Sequence, residues 1–387
     1  MFISLCGTWI QSAAQSWLVY DLSNSSFLLG LVVFVNHIPI FLFSLFSGVI
    51  VDRQNKRNLL IVTQTLFMIL AFILAVLTQF KIVTVNSILL IALFNGIIFS
   101  LDAPARQAII VEIVGKKNLL NAIALNSLAF NSARMIGPAL GGIIIAGLSV
   151  AGCFYINAVS FLAFIFVLLV IKPMSAPKKD NNNHFIEDFK SGIRFVRNNP
   201  NYIILLSIIG TVSFFSFSYF VLMPVFAKDV FSVGAKGYGL LLSAGGIGSI
   251  LAAMQLAGLK DEKKQINILF ISIFLFTVSL IAFSFSHSFL LSCFILALGG
   301  YSSLSSMVVV NSLIQANVPD EFRGRVMSMF MLTFAGTVPF GSLAAGSLAS
   351  LIGAEKTVTL LGIISFIIFL LLVKRIDRKK LVFHEKS

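Results

Sequence analysis

The stretch "GVIVDRQNKR" (residues 48–57) sets four ionised side chains, Asp52, Arg53, Lys56 and Arg57, between two runs that carry no charge at all. An apolar run that stops at a knot of charge and resumes directly after it reads as two membrane-spanning helices joined by a short turn in water. Each run exceeds the roughly 20 residues that a helix needs to cross about 30 Å of hydrocarbon. Working outward from this turn, the same pattern recurs along the chain. Apolar runs cover approximately residues 2–20, 27–51, 58–78, 82–103, 119–146, 150–172, 202–228, 236–259, 266–286, 288–315, 323–350 and 354–374.

The composition agrees. The 387 residues are 58% hydrophobic and 11% charged, with a mean hydropathy of +0.99, far from the balance of a water-soluble domain. Runs such as "SFIIFLLLV" do not alternate, which excludes a membrane β-barrel. The expected fold class is an all-α integral membrane protein of twelve transmembrane helices in two six-helix bundles. Cys6, Cys153 and Cys293 lie inside apolar runs without metal-type spacing and read as packed thiols. The first run lacks a basic n-region and a small-residue cleavage site, so it reads as a retained span. No basic residue precedes it, which sets the expectation that the true start lies upstream of Met1.

Basic residues fall on every second connection: Arg53, Lys56 and Arg57; Arg106, Lys116 and Lys117; Lys172 through Arg197; Lys260, Lys263 and Lys264; Arg323 and Arg325; and Lys374 through Lys386. The opposite connections carry only Lys81, Lys228, Lys236 and Lys356. The positive-inside rule then places both termini in the cytoplasm, with the chain in the cell (inner) membrane. The net charge of +13 follows from that rule and from attraction to membrane lipids, so no nucleic-acid partner is needed.

The expected organisation is an N-terminal six-helix bundle (1–172), a cytoplasmic linker (173–201), a C-terminal six-helix bundle (202–374) and a basic tail (375–387). In the linker, Phe185, Ile186, Phe189, Ile193, Phe195 and Val196 recur at helical spacing, which suits an amphipathic helix on the membrane surface or a simple tether. The halves echo each other. "VGKKNLLNAIALNSLAFNSARMIGPALGG" (114–142) and "VPDEFRGRVMSMFMLTFAGTVPFGSLAAG" (318–346) both run from a charged turn into a span with a central proline and several glycines. Such repeats put a substrate site near mid-membrane between the halves.

Asp52 stands at the C-terminal end of the second span, where the helix dipole is negative, so it needs a cation or another helix's N-terminus facing it. Gly48, one turn earlier, lets a neighbouring helix approach. Together they read as a latch. This segment, Gly48-x-x-x-Asp52-Arg53-x-x-Lys56-Arg57, resembles motif A of the major facilitator superfamily, with Asn55 where the motif has glycine, a residue that also accepts left-handed turns. The turn "AGLKDEKKQ" (257–265) is its degenerate counterpart. The resemblance implies that Asp52 packs at the start of span eleven, beside Arg323 and Arg325, and holds the cytoplasmic side shut. "ARMIGPALGG" (133–142), with Gly137, Pro138, Gly141 and Gly142, resembles motif C, which implies an antiporter or exporter; helix packing alone is the other reading. "LDAPARQAIIVEIV" (101–114), "NAIALNS" and "CFYINAVSF" resemble the branch of the superfamily that holds the enterobactin exporter and macrolide and multidrug effluxers.

Polar residues inside the spans form stripes. Arg134, with Ser127 and Asn131, stands midway through span five, where a charge costs a few kcal/mol and must face a cavity or a partner. Ser4, Thr8, Gln11 and Gln15 form another stripe, Asn95, Asp102 and Arg106 a third, and Tyr301, Ser302, Asn311 and Gln315 a fourth; Asn36 and His37 stand in span two. These residues line a substrate path or specify helix packing. His37 is a candidate proton carrier by its reference pKa, with a structural role as the alternative. Trp9 and Trp17 suit either substrate stacking or an interfacial belt, and 39 phenylalanines imply a wide apolar lining. Asp102, with Arg106 one turn on and Arg134 on the next span, is the candidate for proton coupling; a permanent Asp102–Arg106 pair at a helix end is the competing reading.

The functional expectation is a secondary exporter, working as a monomer by alternating access, that exchanges protons for a small amphiphilic substrate such as a siderophore, drug or macrolide-like metabolite. A lysophospholipid transporter of the same superfamily is the alternative, and a membrane enzyme or receptor a distant one. No H-E-x-x-H, nucleophile elbow or G-x-x-x-x-G-K-[ST] occurs, so no enzyme, metal, cofactor or ATP drive is expected.

Overall fold

The computed structural model describes residues 1–171, 185–259 and 261–375, leaving aside the side chains of some positions within them, Asp52, Ser127 and 185–190 among them. The described chain is helical from end to end: α1 (Phe2–Ser23), α2 (Ser26–Arg53), α3 (Lys56–Gln79), α4 (Val85–Gly147), α5 (Val150–Val170), α6 (Phe185–Asn198), α7 (Pro200–Phe220), α8 (Met223–Val225), one π-helical turn (Phe226–Val230), α9 (Gly234–Leu256), α10 (Glu262–Ser284), α11 (Phe289–Asn317), α12 (Asp320–Ile352) and α13 (Ala354–Arg375). The helix starts are capped where the sequence supplies oxygen. Ser25, Asn55, Ser149 and Asp261 accept from backbone N–H groups in the first turns of α2, α3, α5 and α10, and Thr84 with Ser87 closes a capping box on α4.

Spans four and five follow one another without an extended loop: both fall in α4, as two helical segments that separate at Gly115, whose φ of 67° and ψ of 172° suit a residue without Cβ. Asn55 is extended (φ −70°) rather than left-handed: the turn is made by a helix cap, so the motif's glycine is not missed. Eleven segments among the described residues are long and apolar enough to span a membrane. The twelfth expected span, α1, is long enough at 22 residues, and Ser4, Thr8, Gln11, Ser12, Gln15 and Ser16 make it more polar than those eleven segments. It packs against α4 and α5 all the same.

The two bundles, α1–α5 and α7–α13, meet along two seams, α2 on α12 and α4 on α9. Lipid tails are as apolar as leucine, so such seams form where backbones come close. A Cβ on Gly142 would sit 2.7 Å from the carbonyl oxygen of Ala235, and one on Gly239 2.6 Å from that of Pro138. Gly30 and Gly346 do the same in the other seam, where a Cβ on Gly346 would lie 2.6 Å from the Ser26 oxygen. Both glycine crossings lie toward the end opposite Arg53, Lys263 and Arg323, the far side from here on.

The apolar core repeats this asymmetry. Toward the far side one buried cluster takes in Leu18, Tyr20, Leu29 and Phe154 from the first half and Phe226, Tyr238, Phe283 and Leu296 from the second. Toward the basic side the buried residues fall into separate clusters. Val51, Leu60, Ile109 and Leu168 belong to the first half, and Tyr202, Leu269, Val310 and Phe330 to the second. Helix α6 joins the latter, with Phe195 stacked on Phe322 at 4.4 Å between ring centroids.

Candidate functional site

Below the Gly142–Gly239 crossing, the seam opens into a cavity of about 90 Å³. The first half contributes Trp9 and Arg134; Ser213, Ser216, Tyr219, Ser249 and Ser303 come from the second, among leucines, Met307 and Phe334. Arg134 is the only ionised residue in this lining. It reaches across the seam, and its Nη2 donates to Ser249 Oγ. Ser249 lies 3.0 Å from the Gly245 carbonyl oxygen and 3.2 Å from that of Gly300, to which its own hydroxyl donates. Ser216 and Ser303 share a hydrogen bond of 3.1 Å on the facing wall.

A second polar centre lies within the first half. Asp102, wholly buried, accepts from Thr63 Oγ1 and Gln64 Nε2, both at 2.7 Å on Oδ1, and from Arg106 Nε at 2.5 Å on Oδ2. Arg106 in turn lies 4.8 Å above the Phe164 ring. The structure thus joins Asp102 and Arg106 one helical turn apart, whereas the hydrogen bond of Arg134 goes to Ser249. Thr63 and Gln64 escape a reading by charge, since each is an ordinary polar residue in α3.

The basic residues of the 48–57 turn have separate tasks. Arg57 donates through Nε and Nη2 to the carbonyl oxygens of Leu168 and Leu169, at 2.5 and 2.6 Å, and so caps the C-terminus of α5. Lys56 pairs with Glu112 at 3.5 Å, and Arg53 is exposed. The side chain of Asp52 and the surroundings of Gly48 lie outside the described residues. Of the expected partners, Arg325 stands 5.4 Å from the Phe322 ring centre, and a Cβ on Gly192 would lie 3.0 Å from its own; Arg323 shares the first turn of α12.

Of the residues expected to line a substrate path or stack on its cargo, Arg134 and Trp9 reach this cavity. Gln11 accepts from Asn157 at 2.7 Å, fastening α1 to α5. Asn36 donates to the Ala92 carbonyl at 3.1 Å, fastening α2 to α4, and His37 Nδ1 lies 3.0 Å from the Val33 carbonyl of its own helix. Tyr301 bonds Gln255, and Gln315 donates to Asn311 at 2.7 Å. Gln15, Asn95 and Asn131 are half-buried. Trp17 packs against Tyr238 across the seam, 5.6 Å between centroids. Gly137 packs on Trp9, Gly141 on Ile10 and Gly142 on Gly239, so the glycines flanking Pro138 serve two neighbouring helices at once.

The far side carries polar ties between the halves. Tyr20 Oη donates to Asp229, and Lys228 donates to Asp21 at 3.3 Å and to Asn24 at 3.0 Å. Lys228 and Asp229 sit in the π-helical turn, a distortion that recurs at functional sites.

Comparison with known proteins gives concordant results. A family model described as transmembrane secretion effector matches residues 1–382. A staphyloferrin A transporter of Staphylococcus aureus is 29% identical, over 94% of this chain and 91% of its own length. An enterobactin exporter of Salmonella typhi is 24% identical over 96% and 90%. Among solved structures, the nucleoside transporter NupG superposes with a TM-score of 0.75 at 14% identity, covering 96% of each chain. A bacterial homologue of the lysosomal transporter Spinster in an inward-facing, unoccupied conformation gives 0.73 at 13%, covering 96% of this chain and 94% of that one.

Proposed function

Because the chain belongs to the transmembrane secretion effector family of the major facilitator superfamily, we propose that it exports a small amphiphilic compound, a siderophore before other candidates, in exchange for protons. The observation that carries this reading is Arg134, the one cation of the cavity, set at the seam where a cargo passed between the two sides must lie. The relatives support the cargo class, since both are named for siderophores and one for export. The Gly137-Pro138-Gly141-Gly142 segment supports the direction by its likeness to the exporter motif.

In this reading the basic side faces the cytoplasm, with both termini there. The far-side ties and glycine crossings hold the outer end closed while cargo enters from the cytoplasm. Asp102 binds and releases the coupling proton as the environment of its Oδ2 changes with helix movement. Asp52, against the start of α12 with Arg323 and Arg325, closes the cytoplasmic end in the opposite state.

The test is flux into inside-out proteoliposomes under an imposed pH gradient, with catecholate and carboxylate siderophores, lipophilic dyes and a lysophospholipid as panel. Siderophore accumulation driven by the gradient is the expected result. Lysophospholipid movement alone would favour the alternative cargo, and lower cellular cargo in a deletion strain would reverse the direction.

A further inference from the structure

We infer that the Arg134 cavity is a carboxylate-binding subsite: it takes one carboxylate of the cargo on the guanidinium and hydroxyl groups, and the cargo's apolar part on its apolar lining. The inference rests on the transport reading for the word cargo, and on the geometry alone for the carboxylate.

A guanidinium inside a membrane faces a cavity or a partner. Arg106, deepest of the other cations of the first half, is answered by Asp102 at 2.5 Å; at the basic side Lys56 is answered by Glu112 at 3.5 Å and Arg57 by two carbonyls of α5. Arg134 has no carboxylate partner among the described residues; its hydrogen bond is to a neutral hydroxyl, Ser249. That hydroxyl donates its one proton to a backbone carbonyl and accepts from Arg134, so it orients the guanidinium without neutralising it. Arginine carries five N–H donors in a rigid fork, more than the one bond to Ser249 uses, and Arg134 lines the cavity.

The cavity supplies what an anion requires and lacks what would repel it. Tyr219, Ser216 and Ser303 add hydroxyl groups, and the lining contains no acid. Its size also decides something. About 90 Å³ holds several water-sized groups, room for a carboxylate head, whereas whole-ligand pockets run to about 300 Å³ or more. The rest of the cargo extends along Trp9, Met307 and Phe334. A planar two-oxygen anion matches the guanidinium fork, which makes carboxylate the favoured class.

The experiment uses the full chain in nanodiscs, without any gradient, and two probes of one shape, 2-naphthoate and its neutral amide 2-naphthamide. Binding is followed by quenching of Trp9 in a Trp17→Phe background and by the shift in melting temperature. Naphthoate should bind at least ~10-fold more tightly than naphthamide, as expected for a charge-assisted hydrogen-bonded pair. Arg134→Gln should erase that preference, and Arg134→Lys should restore only part of it. If Arg134→Gln does not fold, Ser249→Ala serves, with a several-fold loss for naphthoate and none for naphthamide. Equal affinities for the two probes in the parent chain, or an undiminished preference in Arg134→Gln, would overturn the subsite. The export reading fails separately: a chain that prefers the carboxylate but moves no panel compound keeps the subsite and loses the transport function.

Discussion

Tyr20, in the last turn of α1, donates its phenolic hydrogen to Asp229 in the π-helical turn after α8, and so ties the two halves together at the far side. Tyr20 is almost fully buried while Asp229 is exposed, so the bond is stronger than an open surface pair but short of a dry one. Tyr20→Phe should remove about 1 kcal/mol of closure, a roughly fivefold shift toward states open at that side. The measurement is labelling of a single cysteine at Ser216, in a chain without Cys6, Cys153 and Cys293, by an impermeant reagent from the far side. Lys228→Ala should do less, because its pair with Asp21 is solvated. Labelling unchanged in Tyr20→Phe would remove the tie from the gating mechanism.

The α4–α9 seam should tolerate no added methyl at its crossing. Gly239→Ala would place a carbon 2.6 Å from the Pro138 oxygen and 2.9 Å from the Gly142 Cα, both backbone, which cannot swing aside. The expected cost is about 1–3 kcal/mol, read as a lower melting temperature in detergent. Gly245→Ala, two turns along the same helix and 3.7 Å from its nearest neighbour, should stay within about 0.5 kcal/mol of the parent.

Asp102→Asn changes more than a charge. All three side chains around this carboxylate, Thr63, Gln64 and Arg106, donate to it. Thr63 can accept from the amide nitrogen of asparagine by turning its own hydrogen to the Leu60 carbonyl at 3.1 Å, but Arg106 loses the charge that answers it. A loss of about 1–3 kcal/mol in stability is expected, easing when Arg106→Gln is added. If Asp102 carries the coupling proton, the double variant still equilibrates cargo down its own gradient, and an imposed pH gradient no longer concentrates it. Full pH-driven accumulation by the double variant would assign Asp102 to structure.

Arg57→Ala should lower stability by about 1–2 kcal/mol, because two carbonyls at the end of α5 lose their donors. Arg57→Lys should recover only part, since an ammonium lacks the fork that reaches both oxygens. Thermal unfolding of the three chains side by side measures this; equal midpoints for Arg57→Ala and the parent would show the cap to be dispensable.

The helices were legible because length and hydropathy are written in consecutive residues. Arg134 was legible too, as a charge where charge is costly. What the stripes could not tell was which neighbour a polar residue would find. Gln11 and Asn36 look like pore lining by spacing, yet each fastens a helix to its neighbour within the first half. Conversely Ser216 and Ser303 are unremarkable in a span, and only the crossing of α7, α9 and α11 beside Arg134 gives them a task. The GPxxGG segment lay between these cases: its small residues announced a close contact, but not that Gly239 was the other side of it.

The polarity of α1 bears on how the protein is made. Serines, threonine and glutamines dilute its apolar residues, so this helix gains less by entering lipid alone than an uninterrupted apolar run does. Gln11 meets its partner only in Asn157, 146 residues later. At about 5–20 residues per second of synthesis, that is a wait of roughly 7–30 seconds. During this interval Gln11 is without the partner it has in the folded chain, which couples the settling of α1 in the membrane to the arrival of α5. Replacing Gln11 and Gln15 by leucine would free α1 to insert by itself, at the expense of the bond that fixes α5 against it.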